Sequence, residues 1–395
     1  MWLPQNWRYA QSGLLGTRSG FGWVISNNTL RGARTIGLDI GIEGGYRPAG
    51  GGDNEGTNQP IPKITGSHTV VGNIIEFNGA SGIQGYNSQP DYNISANVVR
   101  ANGRVGCAGA ENAAIKLHGL QGVLSRNIIA NNTNGASLWL DSGAHDARVS
   151  RNVLLLPPAV QESAVVFELT AGPVLFDNNL LLGSLLSPSP SPSSPSAADC
   201  ASGRPAAAAA AIAAQDAANI TLAHNLAAGF GRGAAVVLGG LTGRKVGKRT
   251  ASLRSWWVGA NVLLTAGDAP WISMHHEKHA GGYELVYNET AAHNVVSGGP
   301  MASFPNITQR KQLAIDVADN FNATGGAFTA AIDRQRMTLV LRRSASVRSG
   351  CADGPGGDVD FKGGVRSPKS CVAGPLATMD ANSEVNVSLW AALQR

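Results

Sequence analysis

Charge is scarce in this chain. Asp, Glu, Lys and Arg make up 14% of its 395 residues, against about a quarter in an average globular protein. That is too few for a coiled coil or a bundle of long surface helices. Cysteines number four, Cys107, Cys200, Cys351 and Cys371, and no Cys-x-x-Cys spacing links them, which removes a zinc reading. Cys351 and Cys371 can pair in an oxidising compartment. No apolar run approaches the roughly 20 residues of a membrane-spanning helix. The longest candidate, Ala206 to Ala214, lies in an alanine tract. The N-terminus, MWLPQNWRYAQ, has no charged segment followed by an apolar one, so this frame carries no recognisable signal peptide.

Glycine is what the chain has in excess, with 50 residues, about twice the ordinary share. The composition is that of a globular, turn-rich protein in which 43% hydrophobic residues can bury a large core. The formal net charge is +5, and the basic residues cluster at Arg244, Lys245, Lys248, Arg249 and Arg254 and again at Arg334, Arg336, Arg342, Arg343 and Arg348. With no nucleic-acid motif beside them, these read as two solvated loops or strand faces rather than a polyanion site.

A repeat organises the chain. An apolar residue, two variable residues, asparagine, one variable residue and a usually apolar residue recur as ISNNTL, VVGNII, ISANVV, LSRNII, VSRNVL, LFDNNL, LAHNLA and VGANVL, with a weaker AAHNVV. The asparagines are Asn28, Asn73, Asn97, Asn127, Asn152, Asn178, Asn225, Asn261 and Asn294, and from Asn73 to Asn178 the intervals are 24, 30, 25 and 26 residues. Such a period suits one solenoid coil per repeat. The segments are short, β-branched and bounded by Gly, Asn, Ser or Asp, hence strands, and short strands on a near-constant period without helices predict a parallel β-helix. Stacked coils put the asparagines about 4.8 Å apart, where each amide can hydrogen-bond the neighbouring turn. Their role is structural.

A second segment recurs as GLDIG, GIQGY, AIKLH, SLWLD and AVVFE. Alternation sends Leu38 and Ile40, Ile115 and Leu117, Leu138 and Leu140, and Val165 and Phe167 to the core. Two outward columns result, Asp39, Gln84, Lys116, Trp139, Val166 and Gly41, Tyr86, His118, Asp141, Glu168. Acid, base and aromatic groups thus meet on successive coils, which suits carbohydrate chemistry. Asp141 and Glu168 are the candidate acid and nucleophile or base, His118 and Lys116 the groups that position or charge them, and Trp139 and Tyr86 flat surfaces for sugar rings. Asp39, Gln84 and Glu111 flank the cluster as binding candidates. Two carboxyls so close are expected to raise each other's pKa. The run HHEKH at His275 to His279 does not match HExxH and reads as a polar loop, so no metal site is expected.

Residues 1–304 read as the β-helix, interrupted by a Pro/Ser/Ala insertion at about 184–214, and residues 305–395 as a small β-rich C-terminal region capping the solenoid. There QLAIDVA and RMTLVLRR alternate like antiparallel strands. No comparable cap precedes Trp23, so a further N-terminal segment is expected. Eight N-x-[ST] sequons, at Asn27, Asn93, Asn131, Asn219, Asn288, Asn306, Asn322 and Asn386, lean toward a secretory route.

The stretches GWVISNNTLRGARTIGLDIG, ENAAIKLHGLQGVLSRNIIANNTNGASLWLD, ARVSRNVLLL and GPVLFDNNLLLGS resemble secreted right-handed parallel β-helix repeat proteins of the pectin-lyase-like superfamily. The resemblance covers residues 10 to 184 well and 215 to 300 in patches. In the C-terminal region only DVDFKGGVR and AGPLA carry it. It implies an all-β fold, a right-handed single-stranded parallel β-helix, in a secreted, cell-surface or lumenal protein acting on a polysaccharide or oligosaccharide. The chain departs from the family in its missing N-terminal coils and in the insertion. Enzymes of this scaffold include glycoside hydrolases, polysaccharide lyases and uronate epimerases, and fold alone does not choose among them. A hydrolase is the leading expectation. A lyase or epimerase, with Lys116 or His118 abstracting a proton and Ca²⁺ possible, and a non-catalytic carbohydrate-binding protein are the alternatives. A monomer with no cofactor, no nucleic-acid partner and no membrane span is expected.

Overall fold

Each repeat supplies three short strands, one to each of three parallel sheets. The computed structural model describes residues 13–17, 20–41, 66–85, 91–104, 112–133, 135–157, 163–183, 210–230, 234–240, 244–246, 249–250, 253–265, 269–276, 289–297, 315–318, 321–322, 328–333, 338–343 and 383–388. The first sheet has nine strands and the second and third ten each, and every neighbour in a sheet comes from the next coil. One full coil illustrates the plan: Ala113–His118 lies in the first sheet, Gly122–Ser125 in the second and Ile128–Ala130 in the third. No helix occurs among the described residues, and none is long and apolar enough to cross a membrane. The architecture is an all-β, right-handed parallel β-helix.

The alternation places the core as the sequence requires. Leu38, Ile40, Ile115, Leu117, Leu138, Leu140, Val165 and Phe167 are all fully buried, and together with Ile94, Leu124, Val149 and Phe176 from the second sheet they belong to one continuous cluster. Phe167 meets Phe176 of its own coil edge-on at 5.8 Å and Trp256, two coils further on, at the same distance.

At the corner between the second and third sheets stands the asparagine ladder. Asn127 shows its chemistry: Nδ2 donates to Ile94 O at 2.9 Å and to Asn152 Oδ1 at 3.0 Å. Its Oδ1 accepts from Asn97 N and Asn97 Nδ2, both at 3.0 Å. The buried donor and acceptor of the Asn127 carboxamide thereby both find partners, as dry burial demands. The residue before each ladder asparagine has a positive φ, Asn27, Ala96, Arg126, Arg151, Asn178, His224, Ala260 and His293 among them. Left-handed backbone costs about 1 kcal/mol or more per non-glycine residue, so the ladder bonds must outweigh a recurring strain.

Two features of the repeat differ from the sequence expectation. The ladder runs through Asn179, not Asn178: Asn152 N donates to Asn179 Oδ1 at 2.9 Å, an interval of 27 residues. Val174 and Phe176 must face the core, so Asp177 points out, Asn178 takes the left-handed corner with φ 55, and Asn179 enters the stack. A second, shorter ladder, Asn78, Asn102 and Asn132, marks the next corner, with Nδ2 to Oδ1 distances of 2.9 and 3.0 Å.

The boundaries also shift. The alanine tract is not wholly insertion, because Ile212–Gln215 forms a first-sheet strand paired with Val165–Glu168 and Val236–Gly240. Residues 184–209 lie outside the described residues. Nor does the solenoid stop at 304: Ile315–Ala318 pairs in parallel with Glu289–Ala292, and Phe321–Asn322 joins Val295–Ser297. QLAIDVA therefore contributes a solenoid strand rather than an antiparallel one. Antiparallel pairing begins later, in the sheet of Phe328–Asp333, Thr338–Arg343 and Ser383–Ser388. HHEKH is not all loop, since His275 and His276 end the first-sheet strand Ile272–His276. The rest of that run and all four cysteines, including the Cys351 and Cys371 pairing, lie outside the described residues.

Replacing Asn127 by Leu takes the ladder bond from Asn97 N and Ile94 O and removes one of the bonds made by Asn97 Nδ2, which keeps Val70 O, and by Asn152 Oδ1, which keeps Asn127 N. Stability should fall by about 3 kcal/mol or more, read from the urea midpoint. The exposed Asn93→Ala should stay within about 0.5 kcal/mol of the parent.

Candidate active site

The site grows from one strand pair. Ala113–His118 and Ala136–Asp141 run in parallel with Lys116 beside Trp139 and His118 beside Asp141. The next strand continues the register, Trp139 beside Val166 and Leu140 beside Phe167, so Glu168 follows Asp141 up the wall. The Ser142 amide closes the step by donating to Glu168 O at 3.0 Å. Gly135 opens the Asp141 strand with φ +136, and a Cβ there would collide with the Asn112 backbone. Glycine at this point lets the strand lie tight on its neighbour.

The sequence places the outward columns on an open surface. Instead Asp39, Gln84, Lys116, His118 and Asp141 are buried. A solvated face of mutually neutralising charges does not describe them. Lys116 is fully buried, its Nζ 3.0 Å from Asp141 Oδ2 and 3.6 Å from the centre of the Trp139 ring. His118 Nε2 lies 3.6 Å from the same Asp141 oxygen. Asp141 Oδ1 accepts from Ser142 N at 2.7 Å and Ser142 Oγ at 3.0 Å. Trp139 is partly exposed, with one face held by the Lys116 ammonium.

Glu168 meets a different partner. Arg244 NH1 forms an ion pair with its Oε1, while Arg244 Nε donates to Asp216 Oδ2 at 3.2 Å. The Asp216 side chain is fully buried. Arg244 immediately precedes a small antiparallel hairpin, Lys245–Val246 with Arg249–Thr250, in the connection between the strands Val236–Gly240 and Arg254–Gly259. Along the wall run Lys116, Asp141, Glu168, Arg244 and Asp216, two adjacent acids with a cation on either side and a third acid beyond.

The two carboxyls are driven apart. Burial pushes Asp141 up, but the charges of His118 and Lys116, with hydrogen bonds from Lys116 and Ser142, outweigh it and hold Asp141 below the usual carboxylate range. Glu168 moves the other way. Burial first and the Asp141 charge second push its carboxyl up, and Arg244 and Lys116 oppose that rise without cancelling it. The expectation that each acid raises the other is therefore right for Glu168 and wrong for Asp141, because the charges of His118 and Lys116 and the hydrogen bonds around Asp141 outweigh its burial.

The remaining candidates are placed as follows. Asp39 pairs beside Gln84 and Gln84 beside Lys116, so both share the Lys116 column, and Asp39 Oδ1 accepts from Gly41 N at 3.2 Å. Tyr86 and Glu111 lie outside the described residues. Arg244 and Asp216 are additions. Asp216 was findable, since it directly follows Gln215, the register partner of Glu168. Arg244 gave no such signal, because the basic cluster around it reads as a solvated loop. Among the described residues no group of three or more His, Cys, Asp or Glu side chains is arranged for a metal. Asp141 in particular does not fit Ca²⁺, since donors occupy Oδ1 and an ammonium faces Oδ2.

Three stacked parallel sheets around one apolar core, with internal asparagine ladders, define a right-handed parallel β-helix. No protein-family profile and no curated protein matches the chain. A solved structure, the complex of XylC with xylose, matches it with a TM-score of 0.61 at 19% identity, over 95% of this chain and 63% of that one. The similarity is one of fold, and this chain spans under two thirds of that protein's length.

Two outcomes follow from the electrostatics. Lys116→Met leaves Asp141 buried without its ammonium and should cost about 3–5 kcal/mol. Adding Asp141→Leu should recover much of that loss in the urea midpoint. Glu168, with its folded pKa raised, binds its proton more tightly folded than unfolded, so its ionised form costs stability above the folded pKa and nothing below the unfolded one. Glu168→Gln should accordingly raise the urea midpoint at pH 8 and leave it unchanged near pH 3.

Proposed function

We propose that the protein is a carbohydrate-active enzyme, a glycoside hydrolase that cleaves a neutral polysaccharide or oligosaccharide on the outer face of the first sheet. The observation that carries this reading is the placement of two carboxyls on adjacent coils with different partners, His118, Lys116 and Ser142 around Asp141 and Arg244 at Glu168, a setting that holds Asp141 down and pushes Glu168 up. Glycoside hydrolysis needs one protonated and one ionised carboxyl flanking the scissile bond. Glu168 is the general acid, and it gives its proton to the leaving oxygen. Asp141, kept ionised by Lys116, His118 and Ser142, faces the developing oxocarbenium charge as nucleophile or base. Trp139 offers the sugar its remaining ring face. The binding of xylose by the fold neighbour XylC agrees with a neutral sugar.

Charge balance favours hydrolysis over elimination. A lyase or epimerase needs a base able to reach the sugar's C5 proton and a positive group for the uronate carboxylate. Lys116 is fully buried against Asp141 and Trp139, and Arg244 is already shared by two carboxylates.

Incubation with a panel of neutral and acidic polysaccharides should release new reducing ends without an ultraviolet-absorbing unsaturated product. Glu168→Gln should lower the cleavage rate by about 10²- to 10⁴-fold, and Asp141→Asn should lower it at least as far, with circular dichroism reporting the folded state of each. An unsaturated product would replace the hydrolase by a lyase. Retained cleavage in Glu168→Gln would end the assignment of the acid, and glycan binding with no turnover would leave a carbohydrate-binding protein.

A further inference from the structure

We propose that Arg244 is a positioning residue for Glu168: its guanidinium, carried back over two coils, clamps the Glu168 carboxyl to the buried Asp216 side chain and fixes the direction that carboxyl faces. The geometry is unusual for a solenoid, in which a coil ordinarily touches only its neighbours. Glu168 lies beside Gln215, and Gln215 beside Gly239, on three successive coils. Arg244 leaves the third of these and returns to the first. Asp216 anchors one edge of the planar fork through Nε, so NH1 meets Glu168 in one orientation only. A lysine, as a point charge, cannot hold both acids in that way.

The arginine also bears on the proton. Facing Glu168 are Asp141 and Lys116 from the preceding coils, His118 beyond them beside Asp141, and Arg244, which is itself paired with Asp216 on the following coil. Burial and Asp141 favour the protonated acid, and Arg244 is the largest opposing influence. Without it, Glu168 should keep its proton to higher pH. The Arg244 side chain is 34% exposed and that of Glu168 15%, so the clamp borders the solvent side of the site, where a sugar would enter.

Its kinetic consequence rests on Glu168 acting as the acid, whereas its effect on titration does not. Glu168 should therefore be titrated by carboxyl ¹³C NMR in the full chain, its signal assigned by loss in Glu168→Gln. In Arg244→Met the midpoint should rise by about one to two pH units, and the alkaline limb of the pH–rate profile should move up with it, while the plateau rate falls. Arg244→Lys, which keeps the charge and loses the fork, should restore the midpoint toward wild type but not the rate. A Glu168 midpoint unmoved in a folded Arg244→Met, or full rate in Arg244→Lys, would reduce Arg244 to an anchor for its hairpin. If Arg244→Met fails to fold, Arg244→Lys decides alone, by a wild-type or a lowered plateau. A midpoint that moves in a protein cleaving no sugar would sink the hydrolase and leave the clamp.

Discussion

Vertical register is the constraint on which everything else in this molecule depends, and the buried amide of the ladder asparagines enforces it. A carboxamide carries a donor and an acceptor on one rigid plane, so each asparagine can bond the coil before it and the coil after it at once, as Asn127 does with Asn97, Ile94 and Asn152. Aspartate would offer no donor, and leucine would strand the backbone groups of the corner. The ladder also holds a left-handed residue at every turn from Asn27 to His293. Slip by one residue would turn each core leucine outward and each outward charge inward, so the stack admits one register.

Once register is fixed, the site follows from spacing and burial. Outward residues on neighbouring coils stand about 4.8 Å apart, and the wall around Lys116, His118 and Asp141 is shielded from water. Charges at that separation in a poorly solvated place cannot share a sign without large cost. The column runs Lys116, Asp141, Glu168, Arg244, Asp216, so each acid has a cation beside it although Asp141 and Glu168 stand next to each other. Glu168 is its weak point: it stands beside Asp141 and is the one carboxyl of the pair to be raised. A stable wall and a carboxyl with a raised pKa thus come from the same packing.

Much of this was legible in the residues. The interval of the asparagine motif predicted the solenoid, and period-two alternation in AIKLH, SLWLD and AVVFE predicted both the core and the columns, Lys116 beside Trp139 and His118 beside Asp141. Failures fell where local pattern was degenerate. Two adjacent asparagines in LFDNNL left the ladder position ambiguous by one, and only the inward demand of Phe176 chose Asn179. The alanine tract looked like linker because alanine carries little pattern, yet its end, from Ala210 to Ile212, is core. QLAIDVA alternates as any strand does, and alternation says nothing of whether the neighbour runs parallel or antiparallel.

By itself the sequence determined the repeat, the faces of each strand and which coils carry acids, because these depend on period and on residue type alone. What tertiary structure decided was how those groups are solvated and partnered. His118 and Lys116 beside Asp141 and the burial of Glu168 set the two carboxyls apart, and the connection that carries Arg244 brings it back across two coils to Glu168 and Asp216. No periodicity encodes a contact 76 residues long. It arises from chain closure and from the cost of leaving a buried charge alone, and both exist only once the coils have stacked.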